Sequence, residues 1–384
     1  WNERLFADLA VNYSGSAYLP AGQRFNVYPA LSLAYIISKE PYAKVYGSAG
    51  ISGYDGNLEH ELFLQTYGSS NASGYRFGEN AASYSGRAEG DLPATFLEPE
   101  KSTMATVGFD LGFFQRRLSV NAEAFAENRS NILISPSNVS GVIGIGVKDQ
   151  SMGENKYKGV DLSVAWNDKA GDFSYGVYAN GGWLFTEVVN DGQAYQNYDY
   201  LYHAGNPIGQ RYGLEVVGIF QNQYEINNSP RQTFGDVRPG DLKYKDQNGD
   251  GEITADDKVI IGNAQPLGVG GFNLSGYLYG FDFSANFNYV FGNNIYNANK
   301  IEFSHSRKYS NRNFLTTANV ENRWTNINWE TGEEITDPEV LREVNAGTTM
   351  WNPGVNKAIF SDWAVEDGSF LRLQSATIGY TLPQ

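Results

Sequence analysis

ATVGFDLGFFQRRLSVNAEAFAE, residues 105–127, is the stretch whose pattern decides the fold. Successive side chains of a strand point to opposite faces, so a period of two separates the residues into two sets. Ala105, Val107, Phe109, Leu111 and Phe113 share one face, and Thr106, Gly108, Asp110 and Gly112 the other. Phe114 to Arg117 read as a tight hairpin turn. The pattern then resumes: Leu118, Val120, Ala122, Ala124 and Ala126 are apolar, opposite Ser119, Asn121, Glu123, Phe125 and Glu127.

The same unit recurs outward from this hairpin. Val160, Leu162, Val164 and Trp166 pair with Phe173, Tyr175, Val177 and Ala179 across an NDKAG turn at Asn167 to Gly171. Phe272, Leu274, Gly276 and Leu278 enter a turn at Tyr279 and Gly280, and Phe281, Phe283, Ala285, Phe287, Tyr289 and Phe291 leave it. A soluble sandwich alternates in the same way, so the connections must decide. Short turns at Lys39 to Tyr42, Phe114 to Arg117, Asn167 to Gly171 and Tyr279 to Phe281 alternate with long connections at about 14–26, 55–100, 133–154, 190–266 and 297–366. In an up-and-down sheet every second connection lies at one end, so all the long ones share a rim, as in outer-membrane barrels. Parity then requires the 190–266 connection to cross the wall zero or two times. Zero is simpler and gives about ten strands, with both chain ends at the short-turn side.

The composition agrees. Gly 43, Tyr 26 and Phe 22 against 13 Pro suit many strands edged with aromatic rings. A mean hydropathy of -0.42 leaves no apolar stretch near the roughly 20 residues of a spanning helix. Any membrane crossing is by strands. Ten strands with an apolar outer face would leave two edges in lipid, where unpaired backbone is costly, so further strands must close the barrel. A net charge of -15 disfavours nucleic acid. The absence of cysteine removes disulfides, thiolate metal sites and cysteine nucleophiles. Both ends read as cuts through a longer chain.

The sharpest local motif is DQNGDGEITADD, residues 246–257, inside the 190–266 insertion. Read as a twelve-residue calcium loop it offers oxygens from Asp246, Asn248, Asp250, the Glu252 carbonyl, Thr254 and Asp257, with Gly251 at the turn position and Ile253 free to tuck inward. Asp257 stands where glutamate is usual. Ca2+ suits this many oxygens best, and Mg2+ is the second candidate. A plain Asn-Gly and Asp-Gly turn cluster is the alternative. The run YQNYDYLYH carries Tyr195, Tyr198, Tyr200 and Tyr202, rings that can hold a sugar or peptide or pack the loop on itself. Trp324, Trp329 and Trp351 in the last long connection carry the same two readings. His60, His203 and His305 read as isolated loop residues, and GVIGIG at Gly141 and GVGG at Gly268 as strand ends. No catalytic constellation stands out.

GDLKYKDQNGDGEITADDKVIIGN followed by a Phe-rich hairpin, DGSFLRLQSATIGYTLPQ, and FNVYPALSLAYIISKE together resemble SusC/RagA-type TonB-dependent outer-membrane transporters of Bacteroidota. The resemblance covers nearly the whole chain in order; Tyr28 stands where the family usually has Phe. It implies a 22-stranded transmembrane barrel with an N-terminal plug, energised by TonB and capped by a SusD-like surface lipoprotein that captures glycans or peptides. Residues 1–384 would then be a segment of the barrel domain, without plug or terminal strands. The expected role is an importer of bulky nutrients, not an enzyme. The alternative is a barrel of this family that has lost transport and serves as a structural subunit.

Overall fold

The computed structural model describes residues 3–79, 82–137, 139–302, 322–350 and 359–382. Strands β1 (Leu5–Gly15), β2 (Phe25–Lys39) and β3 (Tyr42–Tyr54) are followed by a separate hairpin, β4 (Tyr67–Phe77) and β5 (Ala82–Glu89). Next come β6 (Glu100–Phe113), β7 (Leu118–Ile134), β8 (Gln150–Ala170) and β9 (Phe173–Asn190). Six short strands then lie outside the main sheet: β10 (Gln210–Gly213), β11 (Val216–Ile219), β12 (Arg231–Gln232), β13 (Leu242–Tyr244), β14 (Glu252–Ile253) and β15 (Val259–Asn263). The chain returns with β16 (Gly268–Leu278) and β17 (Phe281–Phe291), and closes with β18 (Asn294–Tyr296), β19 (Val365–Asp367) and β20 (Phe370–Tyr380).

Ten of these strands form one sheet in the order β1-β2-β3-β6-β7-β8-β9-β16-β17-β20, antiparallel throughout. Strand β9 pairs directly with β16, so residues 191–267 leave and rejoin the wall without crossing it.

The register keeps each face continuous. One row runs Leu5, Tyr35, Val45, Phe109, Ala122, Leu162, Gly181, Gly270, Tyr289, Leu371 across all ten strands. A one-residue slip would turn every one of these side chains to the other face, so the alternation itself fixes the pairing. Where the row falls to two glycines, Tyr289 fills the gap: a methyl group at Gly270 would come within 2.6 Å of its hydroxyl. That hydroxyl donates to the Asn180 carbonyl at 3.2 Å.

The opposite face is laced with polar contacts. Ser48 and Thr106 hydroxyls meet at 2.8 Å, Asn121 donates to the Tyr46 hydroxyl at 3.2 Å, and Lys44 lies 3.6 Å from Asp110. Asn273 donates to Asn286 at 2.7 Å, and Asn286 to Ser375 at 2.9 Å. Aromatic rings gather on the apolar face toward the short-turn end, with Phe281 on Tyr380 at 4.5 Å and Phe173 on Tyr175 at 5.7 Å.

Two expectations need correction, and one connection holds more than its pattern announces. NDKAG is not a turn: β8 continues to Ala170, paired with Phe173, and the turn is only Gly171 and Asp172. Gly171 takes the positive φ of 63° that such a tight loop needs. Turn-forming residues there belong to a polar strand end, anchored by Arg117 donating to Asp168 at 3.1 Å. GVIGIG is not a strand end either; Gly141–Ile143 form a 3-10 turn within the loop, capped by Ser140. The 55–100 connection holds the β4 and β5 hairpin, whose Ser, Gly and Asn residues carry no apolar alternation to announce it.

Candidate functional site

The 191–267 insertion has its own small core. Leu214, Leu242, Tyr244 and Ile253 are buried together, with Val216, Ile219, Ile359 and Trp363 packed around them. Two short ladders, β10 with β15 and β11 with β13, support it, and β12 runs parallel to β14. Ile253 is fully buried, which anchors the DQNGDGEITADD loop from its eighth position.

The loop holds its own shape. Asp246 accepts backbone N–H bonds from Gly249 at 2.7 Å and Gly251 at 2.9 Å. Asn248 accepts from the Asp250 amide at 2.9 Å, and Asp250 from the Glu252 amide at 2.8 Å. Gly249 and Gly251 adopt positive φ, 76° and 85°, so the backbone can wrap around these side chains. Thr254 caps the 3-10 turn Ala255–Asp257. Asp257 points inward, fully buried, and accepts the amides of Gln247 at 2.8 Å and Thr254 at 2.7 Å. Asp246, Asn248 and Asp250 therefore cluster at the exposed lip while Thr254 and Asp257 clamp the base. Among the described residues no three His, Cys, Asp or Glu side chains converge as a metal cage. Each carboxylate oxygen at the lip keeps a lone pair beyond its amide bond, so the donor set suits a hard cation.

The tyrosine run braces this loop. Tyr198 and Tyr200 stack at 5.4 Å, the Tyr198 hydroxyl accepts from Asn248 at 3.1 Å, and Tyr200 donates to the Asp256 carbonyl at 2.6 Å. Burial holds the Tyr200 phenol above its usual range, and the charges of Asp257, Asp256 and Asp246 push the same way. Tyr202 bonds the backbone of Gln196. Only Tyr195 of the four is widely exposed, at 83%.

His203 is not isolated: its Nδ1 lies 2.6 Å from Asp191, and its ring packs against Tyr212. His60 lies 3.6 Å from Glu61. Trp324 is buried and donates to Gln221 at 3.1 Å, whereas Trp329 is half exposed beside Arg323. His305 and Trp351 fall outside the described residues.

Sequence reading missed Asp362, which ties the last long connection to the insertion by accepting the Val216 amide at 2.8 Å. Its carboxyl is held above the ordinary range, mainly by burial and also by the nearby Glu215 charge. A raised folded pKa means that stability is greatest when the acid is protonated, and is lost as pH rises from the unfolded value through the folded one. Asp362→Asn keeps the acceptor without the charge. Thermal unfolding of the loop should then lose that part of its pH dependence and be no less stable at neutral pH.

A family model described as TonB dependent receptor-like, beta-barrel matches residues 1–297. The chain belongs to that family. Among curated relatives, the TonB-dependent receptor P3 of Formosa agariphila is 24% identical over 96% of this chain and 36% of its own length. The TonB-dependent receptor SusC of Bacteroides thetaiotaomicron is 24% identical over 99% of this chain and 36% of its own. The chain thus spans less than two fifths of these relatives. Among solved structures, the RagAB peptide transporter superposes with a TM-score of 0.74 at 18% identity, over all of this chain and 40% of that one. In the closed-closed state of the RagAB peptide importer the score is 0.71 at 19% identity, over 99% of this chain. The sheet is therefore part of a large TonB-dependent-type barrel, and the resemblance to SusC/RagA barrels stands.

Proposed function

We propose that this chain forms part of the wall and the outer loops of an outer-membrane importer of bulky nutrients, a glycan or a peptide. It would work with a SusD-like surface lipoprotein and be energised by TonB through an N-terminal part of the protein. The observation that carries this reading is the ten-stranded wall: apolar on one face, polar and hydrogen-bonded on the other, with every long connection at one end. The apolar face suits membrane lipid, the polar face a filled lumen, and the loop-bearing rim the cell exterior. The chain's role is then to line a conduit and dock its partner. Proteolysis of intact cells should cut within 191–267. Whole-cell uptake of oligosaccharides or peptides should disappear on deleting the gene and return with the wild-type gene only when TonB is present. Uptake that persists without the gene, or complementation that ignores TonB, would sink the importer reading.

We further propose that Ca2+, or Mg2+ with fewer protein oxygens, sits at the lip of the 246–257 loop. Asp246, Asn248, Asp250 and the Glu252 carbonyl would hold it, with Thr254 and Asp257 closing the base. The bound ion would supply positive charge where carboxylates crowd. Because the loop is already self-bonded, the metal adds stability rather than creating the fold, by about 2.7 kcal/mol at a hundredfold excess over Kd. Calorimetric titration of the intact protein should show uptake that Asp246→Asn with Asp250→Asn abolishes. Absence of uptake of either ion would remove the metal from the proposal.

A further inference from the structure

The apolar face carries a groove that the transport reading leaves unused. It has a volume of about 560 Å³ and lies across six neighbouring strands of the wall. One register row forms its floor: Leu9, Leu31, Ala49, Ala105, Ala126, Lys158. The row beside it runs Ile51, Thr103, Asn128, Lys156. Three successive alanines dig a trough in a belt that elsewhere carries Val107, Phe109 and Leu162, and both rows reach a lysine on β8 before passing to Phe185 and Glu187 on β9.

Those lysines need an anion. Lys158 is exposed, flanked on its row by Ala126 and Phe185, with Glu187 on the diagonal but not bonded to it. Lys156 faces Glu187 across the β8–β9 ladder, and Glu154 lies two residues away on the same face. Neither carboxylate forms an ion pair with it, and among the described residues neither lysine has a hydrogen-bond partner. Lys101, the other cation on this face of the neighbouring strands, is already held by Glu98 at 2.9 Å. An ammonium at the upper edge of a hydrocarbon belt is unfavourable unless it reaches a headgroup.

We propose that the groove seats an acyl chain of a phosphate-bearing lipid, whose headgroup phosphate is gripped between Lys156 and Lys158. The inference rests on the outer-membrane reading above. The groove's direction supports it: Leu31, Ala105 and Ala126 stand equally far from their hairpin turns and Lys158 stands further from Gly171, so the cationic end is the one furthest from the short-turn rim. An acyl chain lying along the alanines would bring a phosphate to the cationic end. The two ammonium groups supply charge-assisted donors for its oxygens.

The test is native mass spectrometry of the full-length protein released from micelles containing equal phosphatidic acid and phosphatidylcholine of one chain length. The wild type should retain phosphatidic acid roughly tenfold over phosphatidylcholine. Lys156→Gln with Lys158→Gln should erase that preference while leaving thermal unfolding unchanged. Ala105→Phe with Ala126→Phe, which fills the trough and spares both lysines, should erase retention too. Equal retention of the two lipids, indifference to either double variant, or displacement by inorganic phosphate alone would overturn the inference. A protein that inserts into bilayers but shows no lipid preference overturns this inference alone, whereas one that stays soluble without detergent overturns the outer-membrane reading itself.

Discussion

Val107→Arg should markedly lower assembly of the wall, whereas Ser163→Arg should leave it nearly intact. Val107 lies on the apolar face, 58% exposed, between Gly47 and Ala124. A guanidinium at the middle of a lipid-facing belt costs about 2–4 kcal/mol. In a protein of ordinary stability that is enough to shift the population toward unfolded chains. Ser163 sits on the polar face between Asn121 and Asn180, where an arginine finds water and amide oxygens. The measurement is the yield of heat-modifiable folded protein in the membrane fraction, with urea unfolding of whatever assembles. Equal losses for the two variants would mean that the faces have been assigned wrongly.

Ile253→Ala should loosen the insertion without touching the wall. Ile253 is fully buried against Leu214, Leu242 and Tyr244, and truncating such a side chain costs about 2–5 kcal/mol. This core is small, so much of the insertion's local stability is at stake. Hydrogen exchange should accelerate at the amides of Arg231 and Thr233, which donate to the carbonyls of Gly251 and Ile253, and stay unchanged along β8 and β9. Acceleration in both regions would show that loop and wall unfold as one unit. Unchanged exchange throughout would show that Ile253 anchors nothing.

The wall was legible because each of its strands obeys one constraint at nearly every second position, and Leu111, Val120 and Val164 meet on one row as their spacing requires. The loops obey no such rule. DQNGDGEITADD could be read as a self-wrapping turn with an inward Ile253, since both follow from glycine placement and local hydrogen bonds. The inward turn of Asp257 could not be read, because it depends on the amides of Gln247 and Thr254 winning its oxygens over a more open arrangement. The brace from Tyr198 to Asn248 joins residues 50 apart, and the bond from Val216 to Asp362 joins residues 146 apart. Neither leaves a local pattern. His203 beside Asp191 was closer in sequence, but a 3-10 turn at Asp199–Leu201 folds it back in a way that spacing alone does not reveal.

The direct pairing of β9 with β16 makes residues 191–267 a detour whose two ends are neighbours in the wall. Closing a loop costs entropy that grows only with the logarithm of its length. A roughly fivefold longer excursion than the 135–149 connection therefore adds only about 1.5 kcal/mol. The barrel can exchange, lengthen or trim its mouth almost independently of its scaffold. Diversity at the rim is thermodynamically cheap, and the same staves can carry very different collars.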